Sequence, residues 1–552
     1  MADVKKTSRS LASIAGIVAI ATLISKLFGL VRQQAIAAAF GVGPAFDAYN
    51  YAYVIPGFLL ILLGGINGPF HSAMVSVLAK RDRKDAAPLV ETVTTLVGVL
   101  LLLVTAGLVV FAEPLINLVA PGLNVSPAEA QQLGMGAAEL QTIVQTKAIA
   151  IQQLRIMAPM AIFAGLIGIG FGSLSAADQY WLPSISPIFS SLAVIVGLGI
   201  LVLQVGGDLG ASQYAMLGGL VLAWGTVAGA VLQWLVQLPA QWRSGMGGLR
   251  LRFNLRQPGV QEVLKIMGPA TFSSGMLQIN VWTDLFFASY IPQAASALGY
   301  AGLLVQTPLG ILSNMILVPY LPIFSQLAAP ENWDELRSRI RQALLLTAVA
   351  MLPLSALMMT LARPIVRVVY ERGAFDLEAS AVVTSVLMAY GFGMFVYLGR
   401  DVLVRVFYAL GDGDTPFRVS ILNIFLNALL DFLLVRSFGA PGLVLATVAV
   451  NLISMVLFLW LLHRRLGGLP LMEWTLPVVA LTLSSIVSGI AAWFVLDLCE
   501  TFIGTEGLLI QLVDLSIAGA VGLGLFGLIA LQLRIPEVEM FSSRLRQRFL
   551  RR

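Results

Sequence analysis

The chain has 552 residues, of which 58% are hydrophobic and only 11% charged, with a formal net charge of +5. Soluble domains carry about a quarter charged residues, and no ordinary core absorbs this much apolar surface, so the solvent must be lipid. The small positive balance gives no argument for nucleic acid as a partner, and a single cysteine, Cys499, excludes a disulfide framework and any Cys-based zinc site.

The N-terminal stretch MADVKKTSRS, residues 1–10, is basic and precedes an apolar run too long for a signal peptide. No small-residue cleavage site follows, so a cytoplasmic end and an uncleaved first span are expected. Crossing the hydrocarbon takes about 20 apolar residues. On that measure the sequence predicts an all-α polytopic membrane protein. Its fourteen spans lie near 11–40, 46–79, 86–113, 146–176, 182–205, 214–240, 259–291, 297–328, 338–362, 377–409, 417–436, 439–463, 472–496 and 509–533. An even number puts both termini on one side, and charge asymmetry names it. With cytoplasmic termini, twenty-four Lys and Arg fall in inner segments or at inner helix ends; only Lys147, Arg363, Arg367, Arg372 and Arg436 fall outside. The basic tail 535–552, ending RLRQRFLRR, then meets the anionic inner leaflet.

The first span closes on ISKLFGLVRQQAIAAAF, Ile24 to Phe40, and carries Lys26 and Arg32. The two lie about 9 Å apart along a helix and about 120° around it, so both can border one broad cavity. A charge at mid-membrane costs at least ~2.5 kcal/mol. Either Asp47 at the head of the second span neutralises them, or they face an aqueous cavity and meet an anionic substrate. Span 2 contains Pro56, Gly64-Gly65 and Gly68-Pro69, and span 8 contains Pro308 and Pro319. Backbone interrupted at that depth is expected to line a cavity.

The chain also repeats. FGSLSAADQYW (Phe171–Trp181) and FYALGDGDTPF (Phe407–Phe417) align at Phe171/Phe407, Leu174/Leu410 and Asp178/Asp414, each pair 236 residues apart; Pro56 and Pro308 are 252 apart. Six helices per repeat keep both copies in one orientation. The expected organisation is an N-lobe at 11–240, a basic linker at 241–258, a C-lobe at 259–466 and two extra spans within 467–534. Two such lobes argue for a transporter with a cavity between them.

Two further polar groups lie within spans. Arg400, Asp401 and Arg405 form either a local ion pair or a ligand site. Asp284, Asn423, Asn427, Asp431 and Thr447 supply hard oxygens that suit Na⁺ or a proton relay, or else serve as interhelical glue. Asn427 and Asp431 are one turn apart and share a face. Catalysis finds no support: the two histidines, His71 and His463, form no metal-binding pair, and neither a nucleophile elbow nor a phosphate-cradling loop occurs. The chain is not expected to be an enzyme.

The run LISKLFGLVRQQAIAAAFGVGPAFDAYNYAYVIPGFL, with GPATFSSGMLQINVWTDLFFASY and FYALGDGDTPF, resembles the MurJ/MviN family of lipid II flippases. The resemblance covers essentially the whole chain and is most specific in the aromatic-Ala-Leu-Gly-Asp…Thr-Pro turn. It implies a two-lobed exporter in the bacterial plasma membrane, moving the undecaprenyl-diphosphate-linked peptidoglycan precursor from the inner to the outer leaflet. Transport would proceed by alternating access, driven by an ion gradient or the membrane potential. Lys26 and Arg32 stand where the family has cavity arginines, Asp47 matches the family acid, and the last two spans would form a groove for the polyprenyl tail.

The chain also departs from the family. Gln33 replaces a usual aspartate. GFLLILLGGINGPF lacks the arginine pair expected after Pro56, and Gly302 and Leu303 replace an Asp-Arg in span 8. The lipid-linked substrate therefore differs, or Arg400, Asn67 or His71 takes over the diphosphate. The sodium-site pattern of some members is matched at Asp284, Asn427, Asp431 and Thr447, with the Leu443 carbonyl as a further ligand. This makes Na⁺ or H⁺ the expected coupling ion, with no other cofactor. Expected partners are lipid II, membrane lipids and cell-wall synthesis proteins. The alternatives are an exporter of another polyprenyl-linked oligosaccharide or amphipathic small molecule, and a non-transporting scaffold for cell-wall synthesis.

Overall fold

The computed structural model describes residues 11–65, 68–81, 83–132, 134–206, 209–257, 259–276 and 279–535, and the regular elements among them are all helical. The chain falls into two compact units, residues 1–296 with 372–375, and 297–371 with 376–552.

The first unit contains α1 (Leu11–Phe40), α2 (Pro44–Gly64), α3 (Pro69–Leu78), α4 (Arg83–Val110), α5 (Ala112–Val119), α6 (Pro127–Gln132) and α7 (Ala137–Met157). It continues with α8 (Met160–Ala176), α9 (Trp181–Ile185), α10 (Pro187–Val205), α11 (Ala215–Leu235), α12 (Leu238–Arg243), α13 (Val260–Met276) and α14 (Ile279–Ala288). The second holds α15 (Ala294–Gln326), whose first three residues belong to the first unit, α16 (Trp333–Thr360), α17 (Ala362–Tyr370), α18 (Leu377–Ala409) and α19 (Asp414–Phe438). It ends with α20 (Ala440–Arg465), α21 (Leu471–Phe502) and α22 (Leu508–Gln532).

Among the described residues, eleven helical stretches are long and apolar enough to cross a membrane, and twelve when α7 and α8, bent by 42° at Ala158-Pro159, count as one. The two other expected spans, 11–40 and 259–291, fall on α1 and on α13 with α14.

Small residues set the packing of the first unit. A side chain at Gly168 would overlap the Leu63 carbonyl, and one at Gly172 would meet the His71 backbone, so α8 lies directly on α2 and α3. Buried Gln153 donates from Nε2 to the carbonyls of Ala45 (3.3 Å) and Gly219 (2.9 Å), tying α7 to α2 and α11. The repeat starts its second lobe at 259, yet α13 and α14 cluster with the first unit. Glu262 accounts for part of this by pairing with Lys80 (3.5 Å) and Arg81 (3.6 Å) beyond α3.

In the second unit α16, α18 and α20 pack side by side, α19 lies on α20, and the C-terminal pair α21/α22 packs through α21 on α16. Tyr370 donates to the Tyr300 carbonyl at 3.1 Å, with ring centroids 5.0 Å apart. The breaks expected from sequence divide. α2 ends at Gly64, four residues before α3, whereas α15 runs unbroken through Pro308, Pro319 and Pro322. Proline removes one backbone donor and clashes with the preceding turn, but membrane helices absorb this where neighbouring groups satisfy the freed carbonyls.

Candidate functional site

α1 carries its two cations differently. Lys26 is exposed, and among the described residues it forms no hydrogen bond or ion pair. Arg32, two turns further on, is half-buried, and its Nε has no hydrogen-bond partner. Its charge reaches the hydroxyls of Tyr49 and Tyr53 on α2, whose rings stack at 5.2 Å. Tyr49 in turn shares a hydrogen bond with Thr226 of α11 at 3.1 Å. The sequence did carry a signal for these tyrosines: positions 49 and 53 are one helical turn apart and so share a face.

Asp47 does not neutralise this pair. It is buried, and its two oxygens accept the backbone N–H of Gln293 (3.0 Å) and of Ser296 (2.8 Å). The first turn of α15 has unsatisfied N–H groups and the positive end of the helix dipole, and the Asp47 carboxylate caps it from another segment. A cavity of about 650 Å³ opens beside Asp47, lined also by Tyr51, Asn124, Glu129, Glu139 and Ser289, and includes neither Lys26 nor Arg32.

The other expected substrate residues are spread out. His71 on α3 shares a 3.0 Å hydrogen bond with Ser175 on α8. Arg400 on α18 pairs with its neighbour Asp401 at 3.3 Å, the local ion pair, while its Nε stays without a hydrogen bond. Asn67 lies outside the described residues.

Four of the five expected cation ligands come together between α19 and α20. Asn427 donates to Asp431 Oδ2 at 2.9 Å; Thr447 Oγ1 lies 3.4 Å from Asn427 Oδ1 and donates to the Leu443 carbonyl at 3.2 Å. One turn along, Ser454 donates to Asn423 at 2.6 Å, and Asn451 donates to the Thr447 carbonyl at 2.7 Å. Asn427, Asp431 and Leu443 are essentially sealed from solvent. A carboxylate, an amide oxygen, a hydroxyl and a carbonyl make a hard-oxygen set that fits Na⁺ in chemical type. The fifth residue, Asp284, is half-buried on α14 in the first unit. Among the described residues no group of three or more His, Cys, Asp or Glu is placed to hold a metal.

Comparison with known proteins follows the same lines. The family model described as lipid II flippase MurJ matches residues 36–513. A probable lipid II flippase MurJ of Synechocystis sp. is 57% identical over 546 residues, covering 99% of both chains. The lipid II flippase MurJ of Burkholderia cenocepacia is 29% identical over 465 residues, 83% of this chain and 84% of that one. Among solved structures, a lipid II flippase MurJ in an inward closed conformation aligns with a TM-score of 0.71 at 22% identity, covering 94% of this chain and 99% of that one. An inward-facing multidrug resistance transporter of the MATE family aligns at 0.57 and 16% identity, over 82% and 98%. Both structures speak to the fold. A family match over most of the length and a full-length relative at more than half identity leave one conclusion: this chain is a multi-pass bacterial membrane protein of the MurJ family.

Proposed function

We propose that this protein moves lipid II from the inner to the outer leaflet of the bacterial plasma membrane, with both termini in the cytoplasm. The observation that carries the reading is the state of α1: a guanidinium with an unpartnered Nε and an unpaired ammonium on a membrane helix of a MurJ-family fold. Both are suited to a lipid diphosphate, Arg32 through directed N–H donors and Lys26 as a point charge. The distribution of Lys and Arg supports the orientation. Alternating access of two lobes, with a transporter rather than a catalyst at work, follows from the family.

Asp431, Asn427, Thr447 and the Leu443 carbonyl are the donors that would hold Na⁺, or relay a proton, as the coupling ion. A bound cation there would neutralise a carboxylate sealed in low dielectric. A second reading, export of another polyprenyl-diphosphate-linked oligosaccharide, is favoured by the sequence GFLLILLGGINGPF, which has no cation after Pro56, and by Gly302 and Leu303 on α15.

The deciding experiment is genetic. Expression of this chain should restore growth and lipid II export to a bacterium depleted of its own lipid II flippase. Folded, membrane-inserted protein without rescue would shift the assignment to the second reading or to a scaffold.

A further inference from the structure

Between α12 and α13 runs Leu249-Arg250-Leu251-Arg252-Phe253-Asn254-Leu255-Arg256, a strict alternation up to Phe253 that transport does not use. Residues 250–254 form neither helix nor turn. The segment crosses α4 as irregular chain between the end of α12 and the start of α13.

One side is fastened to the protein. Glu91, buried on α4, accepts the Gly248 N–H at 3.0 Å through Oε1 and pairs with Arg252 Nε at 2.6 Å through Oε2. Thr95 accepts the Arg252 N–H at 3.1 Å, and the Thr92 hydroxyl donates to Gln257 at 3.1 Å.

The other side is bare. Leu249, Leu251, Phe253 and Leu255 are 59%, 82%, 69% and 59% exposed, and Trp242 in the last turn of α12 is 54% exposed. Arg243, Arg250 and Arg256 are exposed beside them. Five large apolar side chains in a short stretch are unfavourable in water. Their setting identifies what covers them. The segment starts where the Ser212–Arg243 span ends and leads into α13, so it is held at the bilayer surface. Apolar groups there sink into the headgroup boundary, while long arginine side chains reach lipid phosphates.

We propose that residues 249–255 with Trp242 form a membrane-interface strap that recognises anionic lipid headgroups, with Arg250 and Arg256 supplying the charge complementarity. Arg252 has a separate duty: it anchors the strap to α4 through Glu91, coupling the lipid surface to a spanning helix.

The test uses the full chain with Cys499→Ala and Leu251→Cys, the new thiol carrying a polarity-sensitive fluorophore. The protein is reconstituted in phosphatidylcholine vesicles, with and without phosphatidylglycerol, and quenched by brominated lipid or by aqueous acrylamide. The expected result is quenching by brominated lipid, with a lipid-to-water quenching ratio that rises when phosphatidylglycerol is present. Arg250→Gln with Arg256→Gln should lower that ratio about five-fold per arginine in the anionic vesicles and leave it unchanged in phosphatidylcholine. Both side chains are exposed, so the fold tolerates their loss. A probe quenched by acrylamide in every vesicle would overturn the strap and leave the face to a protein partner. Equal ratios in the two lipids would overturn recognition of anionic headgroups.

Discussion

α1 and the α19/α20 pair both carry polar side chains into apolar helices, and they treat them in opposite ways. On α19 and α20 the polar side chains are tied to one another: Asp431 Oδ2 with Asn427, Asn427 beside Thr447, Thr447 with the Leu443 carbonyl, Asn423 with Ser454. On α1, Lys26 is unpaired and Arg32 keeps an Nε without a hydrogen bond, close to two tyrosine hydroxyls that cannot neutralise it. A satisfied polar network in low dielectric is rigid and specific. An unsatisfied charge there is unfavourable until something binds it, which makes it a receptor for the opposite charge. The first arrangement is pre-organised by its own hydrogen bonds, and the second is open to a ligand.

The contrast breaks most visibly on α1. Lys26→Ala with Arg32→Ala should cut lipid II movement in proteoliposomes by roughly a hundredfold or more, since a hydrogen bond to a charged group contributes about 1.5–3 kcal/mol. Folded protein and melting temperature should stay near wild type, because neither residue is holding the fold together. Lys26→Arg should retain movement, charge being kept. Normal transport by the double variant would return both cations to a structural role.

The α19/α20 ladder should respond to ions instead. Sodium at ten times its Kd should stabilise the purified protein by ~1.4 kcal/mol, and Asp431→Asn should remove that increment while the fold persists. Potassium at equal ionic strength is the control, because screening scarcely distinguishes monovalent salts. Identical melting shifts in the two salts, unaffected by Asp431→Asn, would make the ladder helix–helix glue.

The smallest effect lies at the turn between α18 and α19, where pairing occurs near water. Asp412 Oδ2 pairs with Arg465 at 2.6 Å and accepts the Thr415 hydroxyl at 2.8 Å, while Oδ1 accepts the Thr415 N–H at 3.0 Å. Partial burial pushes its pKa up, but the Thr415 hydrogen bonds and the Arg465 charge outweigh this and hold the carboxyl below its usual value of 3.8. A depressed carboxylate stabilises the folded state above the ordinary value, and that contribution is lost as pH falls through the folded one. Thermal stability should therefore drop on acidification below about 4 by more in wild type than in Asp412→Asn. The difference should be at most about 1 kcal/mol, as for other solvent-accessible pairs. Parallel pH profiles would show that the turn does not rely on the charge.

Much of this was legible in advance because it is local. Hydropathy over twenty residues marks a span without reference to any other part of the chain, and Asn427 and Asp431 share a face by helical period alone. The pairing of α19 with α20 could be anticipated because their polar positions face each other across a short turn at Gly439. The partner of Asp47 was not legible, for the opposite reason. Its nearest cations in sequence are on α1, but its partners, Gln293 and Ser296, lie about 250 residues away and are backbone groups that carry no residue-type signal. The prolines of α15 misled as well: composition marks where a helix could break, while the neighbours that satisfy its carbonyls decide whether it does.

By itself the sequence determined the solvent, the rough limits of most spans and which spans carry polar side chains, because each depends on composition or on helical period. Only the tertiary structure decided which polar groups are satisfied. It gave Asp47 to the head of α15, Glu91 to Arg252 between α12 and α13, and left Arg32 near Tyr49 and Tyr53 with a donor to spare. The physical reason is distance along the chain. A hydrogen bond is decided within about 3 Å, and which groups arrive at that range depends on how helices far apart in sequence pack.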